Sequence, residues 1–210
     1  MAEDADFSLE DDIDGTVCGL DEVGRGPLAG SVVAACVYVP GDVRGMDFMA
    51  EVRDSKKLSW AKLERLYDEI MANCHCGVAE IKPAEIDEIN ILQASLKAMS
   101  HSYEAMDMRM AHALVDGNKM PALPCSATTI VKGDSKSKSI AAASIIAKVT
   151  RDRMMHRLAK AHPHYGWESN VGYPSKAHLA GIDAHGITEH HRKSFAPVRN
   201  FIESGSTRKP

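Results

Sequence analysis

Val17 to Gly30 is the stretch that most limits how this chain can fold. Its apolar start, Val17 to Leu20, reads as a strand that runs into two adjacent carboxylates, Asp21 and Glu22, and then at once into Gly24, Arg25 and Gly26. Neighbouring residues on a strand face opposite sides, so the two acids reach one point only if the chain bends at Gly24. The glycines permit that bend and let main-chain N–H groups approach a ligand closely. Gly30 to Val39 is β-branched enough for a second strand, and the Pro27 to Gly30 turn is too short for anything but an antiparallel pair. Taken alone, the same residues also fit a Gly-Pro turn after two solvated acids; the rest of the chain decides.

Downstream, Asp54-Ser55-Lys56-Lys57-Leu58-Ser59 is a polar loop, and Ser59 is placed to cap a helix with Leu63, Leu66, Tyr67 and Ile70 on one face. Lys56 and Lys57 could hold a phosphate there or simply be solvated. Gly77 to Ile81 reads as a third strand. Pro83 then opens a long amphipathic helix carrying Ile89, Leu92, Leu96, Met99, Tyr103 and Met106 at helical spacing. Ala111 to Val115 and Ser126 to Val131 are two further strands, ending in Asp116-Gly117-Asn118 and Lys132-Gly133-Asp134. Ser137 or Ser139 caps a helix that continues to about Ala161. From His162 the chain is irregular, with a short helix at Lys176 to His185. The expected class is α/β, a mixed sheet flanked by helices with a helical C-terminal part.

Charge is unevenly spread. The 210 residues carry a net −4, yet residues 1–14 hold seven acids and no base, residues 15–118 sum to −6 and residues 119–210 to +9. A basic half facing acidic strand ends suits a polyanion held over bound cations, and accidental segregation on a solvated surface fits equally well. No run of 18 apolar residues and no signal peptide is present, which predicts a soluble, cytoplasmic protein without a membrane partner. Five cysteines in such a chain are expected to be free thiols.

Asp21, Glu22, Asp116 and Asp134 each stand at or just past a strand end beside a glycine. Four converging carboxylates repel one another unless divalent cations neutralise them, and hard oxygen ligands select Mg²⁺ or Mn²⁺ over zinc. Two such ions about 3.5–4 Å apart can activate water and stabilise the leaving oxygen of a phosphodiester. Four unrelated turn acids are the bland alternative. Other chemistries fit less well. Gly133 to Ser139 lacks the Gly-Lys-Ser/Thr ending of a P-loop, Cys74-His75-Cys76 has no second pair at zinc-finger spacing, and His178, His185, His190 and His191 match no zinc motif.

The motifs Asp21-Glu22-Val23-Gly24-Arg25-Gly26-Pro27-Leu28-Ala29-Gly30, Asp54 to Ser59, Val115-Asp116-Gly117-Asn118, Lys132-Gly133-Asp134-Ser135-Lys136, Ala141 to Asp152, Gly172-Tyr173-Pro174 and His191-Arg192-Lys193-Ser194-Phe195-Ala196-Pro197 occur in this order. From about Val17 to Val198 the chain resembles bacterial ribonuclease HII, the type 2 ribonuclease H. The resemblance implies a ribonuclease H-like mixed five-stranded sheet flanked by helices, with a helical C-terminal extension. It also implies a monomeric endonuclease that cuts RNA–DNA hybrids and DNA duplexes containing ribonucleotides, using two Mg²⁺ or Mn²⁺ ions. Asp21, Glu22, Asp116 and Asp134 match the family's metal-binding carboxylates. Gly24, Arg25 and Gly26 match its loop that reads the 2′-hydroxyl, and Tyr173 matches the tyrosine that packs on the sugar at the RNA-to-DNA junction. Lys56, Lys57, Ser135 and Lys136 are the further expected substrate contacts. Ser175 stands where the family more often has Thr. The expected organisation is a disordered acidic segment over 1–14, a catalytic domain over 15–161, a substrate-binding extension over 162–203 and a disordered tail over 204–210.

Overall fold

The computed structural model describes residues 5–208. Among them, β1 (Val17–Val23), β2 (Val32–Tyr38), β3 (His75–Ile81), β4 (His112–Asp116) and β5 (Ser126–Ile130) form one sheet in the order β3-β2-β1-β4-β5. β1 and β2 are antiparallel, as their short connection requires, with Asp21 opposite Ala35 and Glu22 opposite Ala34. β4 runs parallel to β1, and β5 parallel to β4. The carboxyl ends of β1, β4 and β5 therefore open on the same edge of the sheet, where ligands of open α/β sheets bind.

The helices are α1 (Ser8–Asp11), α2 (Asp47–Glu51), α3 (Trp60–Asn73), α4 (Pro83–Ala105), α5 (Lys138–Ala161), α6 (Trp167–Asn170), α7 (Lys176–His185) and α8 (Ala196–Ser204). No helix among the described residues is long and apolar enough to cross a membrane. The five cysteines are free thiols.

The chain falls into two compact units. The first holds the residues up to Val23 with Val33–Ala79 and Leu96–Val149; the second holds Gly24–Val32, Glu80–Ser95 and the residues from Thr150. In the first unit an aliphatic core joins Val37 of β2 and Val39 just after it to Leu63, Leu66 and Ile70 of α3 and to Ile145, Ile146 and Val149 of α5. In the second unit Leu28, Met155, Tyr165, Trp167, Ile182 and Val198 form a separate core. The contacts thus divide the chain differently from the expected split at 161/162, because the Gly24–Val32 loop packs with the C-terminal residues.

Three expectations are corrected. Residues 5–14 are ordered: Glu10, on α1, is 2% exposed, and its Oε1 accepts from Ser137 Oγ at 2.6 Å and from the Ser139 N–H at 2.9 Å. Asp6 adds a parallel bridge to Ser137, and Arg44 pairs with Asp11 while lying over the Phe7 ring. Met1 to Asp4, the rest of that expected disordered segment, lie outside the described residues. The tail is ordered as far as described, since Thr207 donates through its N–H (2.7 Å) and hydroxyl (3.1 Å) to Asp183; 209–210 lie outside. Finally, α4 is broken at Asn90, whose φ is 67° and whose side chain accepts from the N–H groups of Leu92 and Gln93. That backbone is one that residues other than glycine rarely adopt, and the side-chain cap that Asn90 gives the restarting helix offsets its cost.

Candidate active site

In the first unit the sheet edge gathers the acids. Asp21 is near the end of β1, Asp116 is the last residue of β4, and Asp134 follows β5 on a turn of 3₁₀ helix, Gly133–Ser135. The parallel register sets Leu20 beside Val115, so that the strands deliver Asp21 and Asp116 at one level. Asp21 is the hub. Only 7% exposed, its carboxyl is held well above the ordinary carboxylate range, first by burial and then by the charges of Glu22, Asp116 and Asp134. Its Oδ1 accepts from the Glu22 N–H at 2.7 Å, which offsets part of that penalty. Asp116 is raised as well, mainly by burial and by Asp134, although its Oδ1 accepts from the Gly133 N–H at 2.6 Å.

Lys56 is the cation that the structure brings to this cluster. Its Nζ lies 3.3 Å from Asp134 Oδ2, and its own pKa is raised because Asp134, Asp54 and Asp21 outweigh partial burial. The turn that presents it, Ser55–Lys57, is capped by Asp54, which accepts from the Lys56 N–H. Lys57 is exposed on the same turn. Ser135 commits its hydroxyl to the Lys132 carbonyl, and Lys136 is exposed with its carbonyl bonded to the Asp6 N–H. Among the described residues no three His, Cys, Asp or Glu side chains close around one point. The donor set nonetheless fits a hard divalent cation: it is all oxygen, and the charges of Glu22, Asp116 and Asp134 raise Asp21, a repulsion that an added positive charge would relieve.

In the second unit, Gly24, Arg25, Gly26 and Tyr173 come together. Tyr173 is 44% exposed, and its ring lies over Gly26, where an added Cβ would stand 3.3 Å from Cε1. Gly24 has φ +94° and faces Arg151, which leaves no room for a side chain. Two buried arginines hold the loop in shape. Arg192 donates to the carbonyls of Gly24 (2.6 Å), Arg25 (3.1 Å) and Gly30 (2.8 and 3.0 Å). Arg151 donates to Ser31, Ala29 and Val171 at 2.9 to 3.1 Å. Burial lowers both guanidinium groups from their ordinary value, and Arg192 is lowered further by Arg151. The Leu28 N–H also bonds the Gly172 carbonyl at 2.8 Å, tying this loop to the tyrosine turn.

Sequence reasoning gave neither arginine a role. Arg151 entered only as one residue of the Ala141 to Asp152 motif, yet it stands four residues from both Ala147 and Met155, which puts it on the buried stripe of α5. A charged residue in phase with an apolar stripe is the signal that could have singled it out.

The family model described as Ribonuclease HII matches residues 18–198. The chain belongs to the ribonuclease HII family. It is 50% identical over 197 residues to the ribonuclease HII of Paramagnetospirillum magneticum, an alignment covering 94% of this chain and 98% of the relative. The crystal structure of the ribonuclease H2 from Pyrococcus horikoshii OT3 is similar with a TM-score of 0.75 at 24% identity, over 90% of this chain and 98% of that one. A Bst-RNase HIII in complex with Mn²⁺ has a TM-score of 0.72 at 20% identity, over 92% of this chain and 71% of that one. These two structures carry the fold, and the ribonuclease HII relatives make the chain a hydrolase of the ribonuclease H type.

Proposed function

We propose that this ribonuclease HII cleaves the RNA strand of RNA–DNA hybrids and incises duplex DNA on the 5′ side of an embedded ribonucleotide, leaving 3′-hydroxyl and 5′-phosphate ends. Asp21, Glu22, Asp116 and Asp134 would hold two Mg²⁺ or Mn²⁺ ions. When bound, such ions supply a lowered pKa for water and a charge that offsets the departing oxygen. The observation that carries this reading is Asp21, buried at a sheet edge among three other carboxylates. A non-catalytic binder of polyanions gains nothing from acids placed there.

The chain's own residues do the rest. Asp116 and Asp134 are oriented by the Gly133 N–H and by Lys56, so they need little reorganisation. Lys56, Lys57, Ser135 and Lys136 hold substrate phosphates, Lys56 exchanging its partner Asp134 for the substrate. The main chain of Gly24 to Gly26, kept in shape by Arg151 and Arg192, bonds the 2′-hydroxyl without reading the base. Tyr173 packs on the sugar that follows it. In this reading the chain acts as a monomer in the cytoplasm, and the Mn²⁺ of the Bst-RNase HIII structure is consistent with the same choice of ion.

The test is a labelled DNA duplex with one ribonucleotide, incubated with the purified protein with and without Mg²⁺ or Mn²⁺. A single cut 5′ to the ribonucleotide that needs the metal is the expected result. Equal cutting of an all-deoxy duplex, or cutting in the presence of chelator, would sink the reading.

A further inference from the structure

Tyr173 has a half-exposed ring on a tightly held main chain. Its N–H donates to the Asn170 carbonyl at 2.9 Å, and Val171, two residues before it, sits at φ 42°, a left-handed conformation that β-branched residues rarely adopt. The Tyr173 carbonyl accepts from the Ser175 N–H at 2.7 Å and meets His178 Nδ1 at 2.9 Å. Behind His178 is a run of buried polar atoms. His178 Nε2 lies 3.0 Å from Trp167 Nε1 and 3.1 Å from His191 Nε2, and His191 Nδ1 lies 3.0 Å from the Thr188 N–H. His178 is fully buried and His191 1% exposed.

The fixed ends of this run decide where its protons are. An indole N–H and a main-chain N–H only donate, and a carbonyl only accepts. The Thr188 N–H makes His191 Nδ1 an acceptor, so the His191 proton is on Nε2 and is donated to His178 Nε2. That atom also receives the Trp167 N–H, which leaves the His178 proton on Nδ1, aimed at the Tyr173 carbonyl. Every link works only with both rings neutral. Burial accordingly lowers both imidazoles, His191 to about 3 under the added influence of His178, His190 and His162.

We infer that His178 is a positioning residue for the reaction: through its Nδ1–H bond to the Tyr173 carbonyl, and backed by Trp167 and His191, it fixes Tyr173 in the attitude that meets the sugar at the junction. This rests on the proposed role of Tyr173. Ring placement matters because a displacement of about 1 Å at a reacting centre can cost on the order of 100-fold, and the ring lies on Gly26, so a shift of the turn would move both sugar-contacting parts together.

Two variants separate positioning from bulk packing. His178→Asn keeps an amide N–H near the position of Nδ1 and can still bond the Tyr173 carbonyl, whereas His178→Gln places its amide near Nε2 and cannot. On a duplex with one embedded ribonucleotide, His178→Gln should lose about 10- to 100-fold in kcat with KM little changed, His178→Asn should recover most of that loss, and the loss on a long uniform hybrid should be smaller. Equal damage from Asn and Gln, or equal losses on both substrates, overturns the inference. Tyr173→Ala is run beside them: if it shows no preference for the embedded ribonucleotide, the reading of Tyr173 itself fails, whereas a selective Tyr173→Ala with an unselective His178→Gln removes His178 alone. Imidazole ¹⁵N NMR of the unaltered protein supplies a check that no folding defect can spoil. The proton must be found on Nδ1 of His178 and on Nε2 of His191, and the opposite tautomer of His178 overturns the inference.

Discussion

Ionising Asp21 costs the fold stability, and the sign of that cost is testable. Because its folded-state pKa is raised above the ordinary value of 3.8, its contribution to stability is complete below that value and is lost as pH rises through the folded pKa. At neutral pH and without metal, this carboxylate therefore works against the fold. Asp21→Asn keeps an oxygen for the Glu22 N–H while removing the charge, so the metal-free variant should melt at or above the parent temperature at pH 7.5. Added Mg²⁺ should raise the parent's Tm and leave the variant nearly unchanged. Cleavage should fall at least about 100-fold, since losing a mere supporting partner of a metal ligand already costs 10- to 100-fold. A lower metal-free Tm or near-parental turnover would remove Asp21 from the metal-binding role. The acids were legible in the sequence because each stands at a strand end beside a glycine. Arg192 and His178 were not, since their partners include main-chain carbonyls brought to them by tertiary folding, and no residue pattern announces a carbonyl; Arg151 left only the trace of a charge in phase with the apolar stripe of α5.

At the scale of elements, the first turns of α5 show why composition misled the reading of the N-terminal segment. Seven acids in fourteen residues argue for disorder, but a helix N-terminus leaves N–H groups that a carboxylate satisfies well. Glu10 takes both the Ser137 hydroxyl and the Ser139 N–H, while Ser137 Oγ in turn accepts from the Ile140 N–H at 3.1 Å. Ser137 is thus the cap, and Glu10 is its brace. Lys138 adds a second anchor, donating at 2.7 to 3.3 Å to the carbonyls of Met49, Ala50 and Val52 at the end of α2. Glu10→Ala leaves two buried donors without their acceptor and should destabilise by about 2 to 4 kcal/mol, lowering the Tm by about 5 to 15 °C for a chain of this size. Glu10→Gln should cost less, because its amide oxygen still accepts. An unchanged melting curve for Glu10→Ala would mean that α1 does not brace α5 in solution. The break in α4 was hidden for a related reason: the heptad-like spacing continues across Asn90, and only the side-chain caps on Leu92 and Gln93 reveal that the helix restarts.

At the scale of the whole molecule, part of the strand direction follows from local features: a turn too short for a crossover made β1 and β2 antiparallel, and α4 precedes β4, which runs parallel to β1, whereas β5 is parallel to β4 although residues 117–125 between them hold no helix. The division into two units did not follow, because it depends on Gly24–Val32 packing with residues more than 120 positions away. Charge distribution is the remaining whole-molecule property with a consequence for function. A net charge of −4 would suggest weak attraction to nucleic acid, but residues 119–210 carry +9, and two of the N-terminal acids, Glu10 and Asp11, are engaged by Ser137 and Arg44. Counterion release depends on the cations at the phosphates, not on the net charge, with a slope of about −0.9 per phosphate neutralised. Binding of an RNA–DNA hybrid, measured by anisotropy with Asp116→Asn in place of the parent so that nothing is cut, should therefore weaken steeply between 50 and 200 mM salt, with a log–log slope of roughly −3 to −6. Removing Lys56 and Lys57 together should make that slope less negative by about 1 to 2, one phosphate for each lysine. A flat salt dependence in the unsubstituted background would show that the basic C-terminal half does not face the backbone, and an unchanged slope after Lys56→Ala and Lys57→Ala would take both lysines out of the phosphate contacts.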